Sequence, residues 1–270
     1  MAKIRIEDTE IHYEWHPGTK GRNVAFLNGV MASIGSWETY SALFRSLGYG
    51  VLLHDFRGQL LSGKPEGPYT FKEHARDLDV LRNHLDIDSL HLVGTSYGGE
   101  VALKYAADYP DRTDSLSVID SVSETDALLK SFIDSWILLA RSGDPVTFYW
   151  SVVPSLYSSG FLETRMDMLK ERASVFSRLP GEYFTGQAAL YESFRNIDLT
   201  PELAHIKSPA CIICGTADIL KPPKFSRIIA DGIEDSRLIL LPDCGHVAIF
   251  ERVESLKVIL TGFISNISRE

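Results

Sequence analysis

Ser96 stands at the centre of Gly94-Thr95-Ser96-Tyr97-Gly98, with a glycine two positions away on either side. A serine hydroxyl attacks a carbonyl only when it is exposed, close to a base, and near N–H groups that can receive an oxyanion. A sharp strand-to-helix turn supplies the exposure by straining the backbone of the central residue, and the flanking glycines let the helix pass close to the strand. The apolar run Ser89–Val93 before the turn and the helical pattern Glu100–Ala107 after it fit that arrangement. Two partners follow. Asp218 ends Ala210-Cys-Ile-Ile-Cys-Gly-Thr-Ala-Asp218, and His246 ends Arg237-Leu-Ile-Leu-Leu-Pro-Asp-Cys-Gly-His246, each a short apolar run closed by a turn. Serine, aspartate and histidine in that chain order suit acyl transfer. The imidazole takes the serine proton and passes it to the leaving group, while the carboxylate fixes the imidazole tautomer and stabilises its charged form.

Each of these residues has a plainer reading. An aspartate at a strand end can cap a helix, and a lone histidine can be a hydrogen-bonded loop residue. Asp120, which ends the strand-like run Ser115–Ile119, is the alternative acid. Asp218 is preferred and Asp120 stays open. His12 and His16 fall in an N-terminal hairpin pattern, His74 and His84 on a helix and His91 in a strand, and none has metal-ligand spacing. Cys211 and Cys214 form a C-x-x-C inside an apolar run rather than at a helix start, so with Cys244 they read as buried thiols.

Four motifs in order carry a family resemblance: Leu27-Asn28-Gly29-Val30, then Asp55-Phe56-Arg57-Gly58 with Ser62, then the Ser96 turn, then the pair Gly215-Thr216-Ala217-Asp218 and Asp243-Cys244-Gly245-His246. The chain resembles an α/β-hydrolase of the ester-cleaving type with an inserted helical cap, and the likeness spans essentially its whole length. The resemblance implies a catalytic set of Ser96, Asp218 and His246, with the backbone N–H groups of Val30 and Tyr97 as the oxyanion hole. Two positions depart from the family pattern. Asn28 stands where most relatives have histidine, and its amide can make some of the same backbone hydrogen bonds. Leu60 replaces a glycine, making that turn bulkier, so that it narrows the pocket floor or covers core. The segment from Asp55 to Ser62 as a whole reads as backbone architecture.

Composition fits a soluble enzyme of one domain plus an insertion: 270 residues, 44% hydrophobic and 23% charged. A formal charge of −9 argues against nucleic acid, whose phosphates call for clustered Lys and Arg. No apolar stretch reaches the roughly 18 residues that span a bilayer, and the first residues lack the apolar core of a signal peptide, so the expected location is the cytoplasm.

Strand and helix patterns alternate, which predicts an α/β fold: a mostly parallel, eight-stranded sheet with helices on both faces. The expected strands lie at 3–7 and 11–15, an antiparallel edge hairpin, and near 23–28, 50–54, 89–94, 113–119, 209–214 and 237–241. Helices are expected near 36–47, 70–86, 98–109, 222–232 and 249–267, the last docking Phe250, Val253, Leu256, Leu260 and Phe263 on the sheet. The rhythm breaks between the strands ending at 119 and starting at 209. Residues 121–198 carry only helical patterns, near 124–141 with Leu128, Phe132, Trp136 and Leu139 as its apolar face, then 145–157, 161–179 and 182–195. This divides the chain into core 1–120, helical cap 121–198 and core 199–270. The cap is modestly rich in aromatic residues, which implies an apolar, partly closed pocket for a small molecule.

The reaction expected from these residues is hydrolysis of a carboxylic ester or lactone of a small, largely apolar substrate through an acyl-enzyme. It requires no metal or organic cofactor. The same residues could cleave a thioester or an activated carbon–carbon bond, since they read only an electrophilic carbonyl. A ligand sensor on a hydrolase scaffold is the non-enzymatic alternative. Oligomeric state is not legible.

Overall fold

The computed structural model describes residues 2–267. Its strands are β1 (Ala2–Ile6), β2 (Thr9–His16), β3 (Asn23–Leu27), β4 (Gly50–His54), β5 (Leu90–Thr95), β6 (Thr113–Ile119), β7 (Ala210–Gly215) and β8 (Ser236–Leu241). They form one sheet in the order β1-β2-β4-β3-β5-β6-β7-β8. The β1–β2 and β2–β4 pairs are antiparallel and the rest are parallel. The strands from β3 to β7 read as near-continuous apolar runs because they are covered on both faces.

The core helices are α1 (Glu38–Ser46), α2 (Phe71–His84) and α3 (Tyr97–Asp108), followed after the insertion by α8 (Pro223–Gly232), α9 (Ala248–Glu251) and α10 (Val253–Ser265). Alternation along a strand sends side chains to opposite faces. On β3, Ala25 and Leu27 join the core under α2, α3 and α8. Val24 and Phe26 join the core under α1 and α10, with Tyr40, Phe44, Leu256 and Leu260. All the parallel strands end at one edge, where the loops after β3, β5, β6, β7 and β8 gather, the usual place for a site in such a sheet.

The helix expected at 249–267 is broken at Arg252, whose φ of −129° and ψ of 44° leave the helical region. The break has a cause: Arg252 donates to the carbonyls of Pro242 and Asp243, and Glu251 accepts from Gly245 N and Ser158 N. Both residues are thereby tied to the loop that carries His246.

Between β6 and β7 the chain forms α4 (Ala127–Arg141), α5 (Pro145–Leu156), α6 (Ser159–Phe176) and α7 (Gly181–Phe194). The first three are capped at their starts by side chains: Asp126 accepts from Leu129 N, Asp144 from Val146 N and Thr147 N, and Ser158 from Phe161 N. A bridge between Glu124 and Asp198, with Leu199 N on Ser123 O, closes the two ends of this insertion together. Of the face expected for the first helix, Trp136 is buried and Phe132 and Leu139 pack half-buried against the core, but the buried stripe is wider and shifted. Leu129, Ile133, Trp136, Ile137 and Ala140 are buried, while Leu128 is 59% exposed. A helix packed on more than one neighbour buries a wider and shifted stripe than a single-sided pattern suggests. Among the described residues, no helix is long and apolar enough to cross a membrane.

Candidate active site

β5 runs buried to Thr95, and Ser96 takes φ 52° and ψ −120° before α3 begins at Tyr97. Such a backbone is strained for a residue with a side chain and persists only where its surroundings hold it. Here Ser96 N donates to Ile119 O at 2.8 Å, and Ser121 Oγ donates to Ser96 O at 2.8 Å. The glycines permit the close crossing: a Cβ on Gly94 would lie 2.2 Å from Gly98 O, and one on Gly98 would lie 2.1 Å from Leu27 O.

The structure brings Ser96, Asp218 and His246 together across 150 residues of chain. His246 Nε2 lies 2.9 Å from Ser96 Oγ, and His246 Nδ1 lies 2.8 Å from Asp218 Oδ2. Asp218 Oδ1 accepts from the N–H groups of Leu220 and Lys221, both at 2.8 Å, which aims the other oxygen at the imidazole. The alternative acid, Asp120, does not touch the imidazole. Its two oxygens accept from Gly215 N at 2.9 Å and Ala248 N at 3.1 Å. It therefore staples the end of β6 to the loops that carry Asp218 and His246. Burial, and then the nearby charge of Asp218, push the Asp120 carboxyl well above the usual carboxylate range. Asp120, Cys214 and Asp218 are close enough to suggest a cation site. The carboxylate oxygens there already accept hydrogen bonds, and burial raises the Cys214 thiol away from its thiolate. All three cysteines are free and buried.

The loop after β3 is held by two amides. Asn28 Nδ2 donates to His54 O at 3.0 Å and to Gln59 Oε1 at 3.0 Å, and Asn28 Oδ1 accepts from Trp37 Nε1 at 3.0 Å. Gln59 Nε2 donates to Gly29 O at 2.8 Å and Val30 O at 3.2 Å. Both amide side chains are fully buried. Gln59 is a site residue absent from the sequence reading, because nothing local in the turn from Asp55 to Ser62 shows that its amide reaches the loop after β3. Among the described residues the Val30 and Tyr97 N–H groups make no hydrogen bond, and the Tyr97 ring turns into the core, its hydroxyl 2.7 Å from His74 Nε2. Asp55 is equally internal: it accepts from Ile34 N at 3.1 Å, and its second oxygen lies 3.0 Å from His12 Nδ1.

Residues 23–253 match the family model described as the alpha/beta hydrolase fold. The chain belongs to the α/β-hydrolase family. Over 96% of this chain it is 25% identical to "Putative carbamate hydrolase RutD" of Variovorax paradoxus (strain S110), covering 97% of that protein. Among solved structures it resembles MGS-M2, an alpha/beta hydrolase enzyme from a Medee basin deep-sea metagenome library, at a TM-score of 0.93, 27% identity and coverage of 100% and 99%. The enol-lactonase from Burkholderia xenovorans LB400 superposes at 0.87, with 25% identity over 98% of this chain and 100% of that one.

In this hydrolase Ser96 and His246 open into a cavity of about 480 Å³. Its floor is Gly29, Val30 and Thr95, and its roof comes from the insertion, with Trp136, Tyr149, Val152, Phe176 and Tyr191. Leu60, one of the two departures from the family pattern, lines the cavity rather than the core and remains 37% exposed. The lining is mainly apolar. Its polar groups near the serine include Thr95, His246 and Lys221, and the sequence reading does not single out the lysine. Lys221 Nζ lies 3.2 Å from Ser96 Oγ and forms a fully buried ion pair with Glu100. Burial pushes the Glu100 carboxyl up, and the Lys221 charge opposes that push. The available signal was faint: Glu100 falls in the first turn of α3 among residues buried on all sides, so its carboxylate needed a cation from elsewhere in the chain.

Proposed function

We propose that this α/β-hydrolase cleaves carboxylic esters or lactones of small, largely apolar substrates through an acyl-enzyme. Ser96 Oγ attacks the carbonyl carbon as His246 Nε2 takes its proton. The oxyanion rests on the N–H groups of Val30 and Tyr97, which are preorganised and cannot titrate. Asp218 holds the imidazole in the Nδ1–H tautomer and stabilises the imidazolium. The alcohol leaves with the proton from His246, which then activates water to hydrolyse the acyl-enzyme. No cofactor enters any step. The helical insertion, residues 121–198, acts as a cap whose aromatic side chains shape the acyl and alcohol subsites.

The observation that carries this reading is the serine hydroxyl, 2.9 Å from an aspartate-bound imidazole, facing an apolar cavity. The likeness to an enol-lactonase at 25% identity supports an ester or lactone bond as the target. A panel of esters, lactones and thioesters of graded acyl size, assayed on wild type, tests it. The expected result is the highest kcat/KM on a short-chain ester or a lactone. A preference for thioesters, or turnover confined to substrates cleaved at a carbon–carbon bond, would replace the proposed leaving group while keeping the nucleophile.

A further inference from the structure

Taking Ser96 as the nucleophile, we propose that Lys221 is a further catalytic residue, a cationic hydrogen-bond donor to Ser96 Oγ that speeds breakdown of the acyl-enzyme. A serine hydroxyl offers one donor and two acceptor lone pairs. Its proton points to His246 Nε2 at 2.9 Å, and Lys221 Nζ approaches Oγ at 3.2 Å from another side. The ammonium is anchored. It donates to a Glu100 carboxylate oxygen, Phe194 presents its ring face 5.0 Å away, and the side chain is almost fully buried. Glu100 Oε1 lies 3.4 Å from Ser121 Oγ, whose single proton goes to Ser96 O at 2.8 Å. Lysine and nucleophile are thus fixed to one framework.

The position matters at one step above the others. In acylation the free hydroxyl already accepts from Lys221 before attack, so the contact stabilises ground state and transition state alike and adds little to the rate. In deacylation water adds to the acyl carbon while His246 takes a water proton. The C–Oγ bond then breaks, its electron pair goes to Oγ, and His246 returns the proton there, leaving a carboxylic acid and free Ser96. Charge builds on Oγ during that cleavage. A fixed ammonium within hydrogen-bond reach in a dry site stabilises it without giving up a proton. Glu100 is the positioning residue that keeps Nζ aimed at Oγ.

Removing Lys221 alone would strand the buried Glu100 charge, so the test removes both charges together. The variant is Lys221→Met with Glu100→Leu, assayed with a p-nitrophenyl butyrate burst, intact-mass detection of the acyl-enzyme and labelling by a fluorophosphonate. The expected variant melts near wild type, labels at Ser96 and keeps a burst rate within a few-fold. Its steady-state turnover falls roughly 10- to 100-fold, the value of a hydrogen bond to a charged group, and butyryl-enzyme accumulates. A folded variant that turns over at the wild-type rate without accumulating acyl-enzyme would overturn the proposal and leave the ion pair as packing. If that variant does not fold, Lys221→Met with Glu100→Gln keeps a partner for Ser121 and carries the same two outcomes. Wild-type enzyme that fails to label at Ser96 would instead sink the nucleophile assignment, a result separate from any effect of Lys221.

Discussion

The strand-edge site and the helical insertion above it are built by different forces. At the strand edge, buried polar side chains hold the backbone: Asp120 on Gly215 N and Ala248 N, Gln59 on Gly29 O and Val30 O, and Asn28 on His54 O. Such bonds are directional and expensive to leave unmade, so they fix positions to fractions of an ångström. The insertion coheres through aromatic contacts among Phe148, Phe176, Tyr183, Phe184 and Tyr191. Its polar ties to the rest of the chain include Ser158 donating to Glu251 on α9 and Ser193 Oγ accepting from Tyr69 N in the loop before α2. Apolar packing fixes volume more than orientation, and cores tolerate repacking when volume is kept. The difference teaches that the chemistry is specified tightly and the substrate loosely. A change at the strand edge should cost rate, and a change in the roof should shift preference.

The two candidate acids break that comparison most forcefully. Asp218→Asn should lower kcat by about 10³- to 10⁴-fold in ester hydrolysis, as losing the imidazole's orienting partner does. Asp120→Asn should leave kcat within about tenfold but cost about 1–3 kcal/mol in urea unfolding, because one of two buried N–H groups loses its acceptor. Equal rate losses in the two variants would show that Asp120 acts in the chemistry. Next comes Gln59→Leu, which frees the Gly29 and Val30 carbonyls. Steady-state kinetics should show kcat falling on the order of 10- to 100-fold with KM little changed, since small displacements of a preorganised donor are costly. In the roof, Phe176→Ala should change kcat for an acetyl ester by no more than a few-fold while moving the optimum acyl chain longer, read from kcat/KM across a homologous ester series.

A smaller effect concerns stability alone. Burial lowers the His54 pKa to about 4, and among the described residues neither ring nitrogen has a hydrogen-bond partner. A histidine depressed in the folded state stabilises fully above its unfolded value near 6.5 and loses that contribution as pH falls toward 4. The unfolding free energy should therefore drop between pH 6.5 and 4, by up to about 3 kcal/mol from this residue. His74, lowered well below 6.5 chiefly by burial, acts in the same direction. His54→Leu should make the slope shallower in chemical denaturation followed across that range.

Much of the strand edge was legible because it obeys local rules. The glycine spacing about Ser96 states a close crossing, and Asp218 and His246 each follow an apolar run that can only be a strand entering a loop. The Asn28 amide makes one backbone bond of the kind expected of it, to His54 O, and its other bonds go to side chains. What escaped depends on residues distant in sequence. Lys221 and Glu100 lie 121 positions apart, and neither is conspicuous until the fold closes. Asp120 offered two roles, and only its neighbours decide between acid and staple. In the insertion the face expected for α4 holds at Trp136, Phe132 and Leu139 and fails at Leu128, since periodicity reports that a helix is amphipathic and not how many partners it has. The break at Arg252 follows from side-chain bonds to a loop that local pattern does not foresee.

The central claim is that Ser96 is the nucleophile. Measuring kcat/KM of Ser96→Ala against wild type on p-nitrophenyl butyrate tests it most directly, with circular dichroism showing that both are folded. The account predicts a loss of about 10⁴-fold or more. Turnover within tenfold of wild type by the folded variant would contradict it.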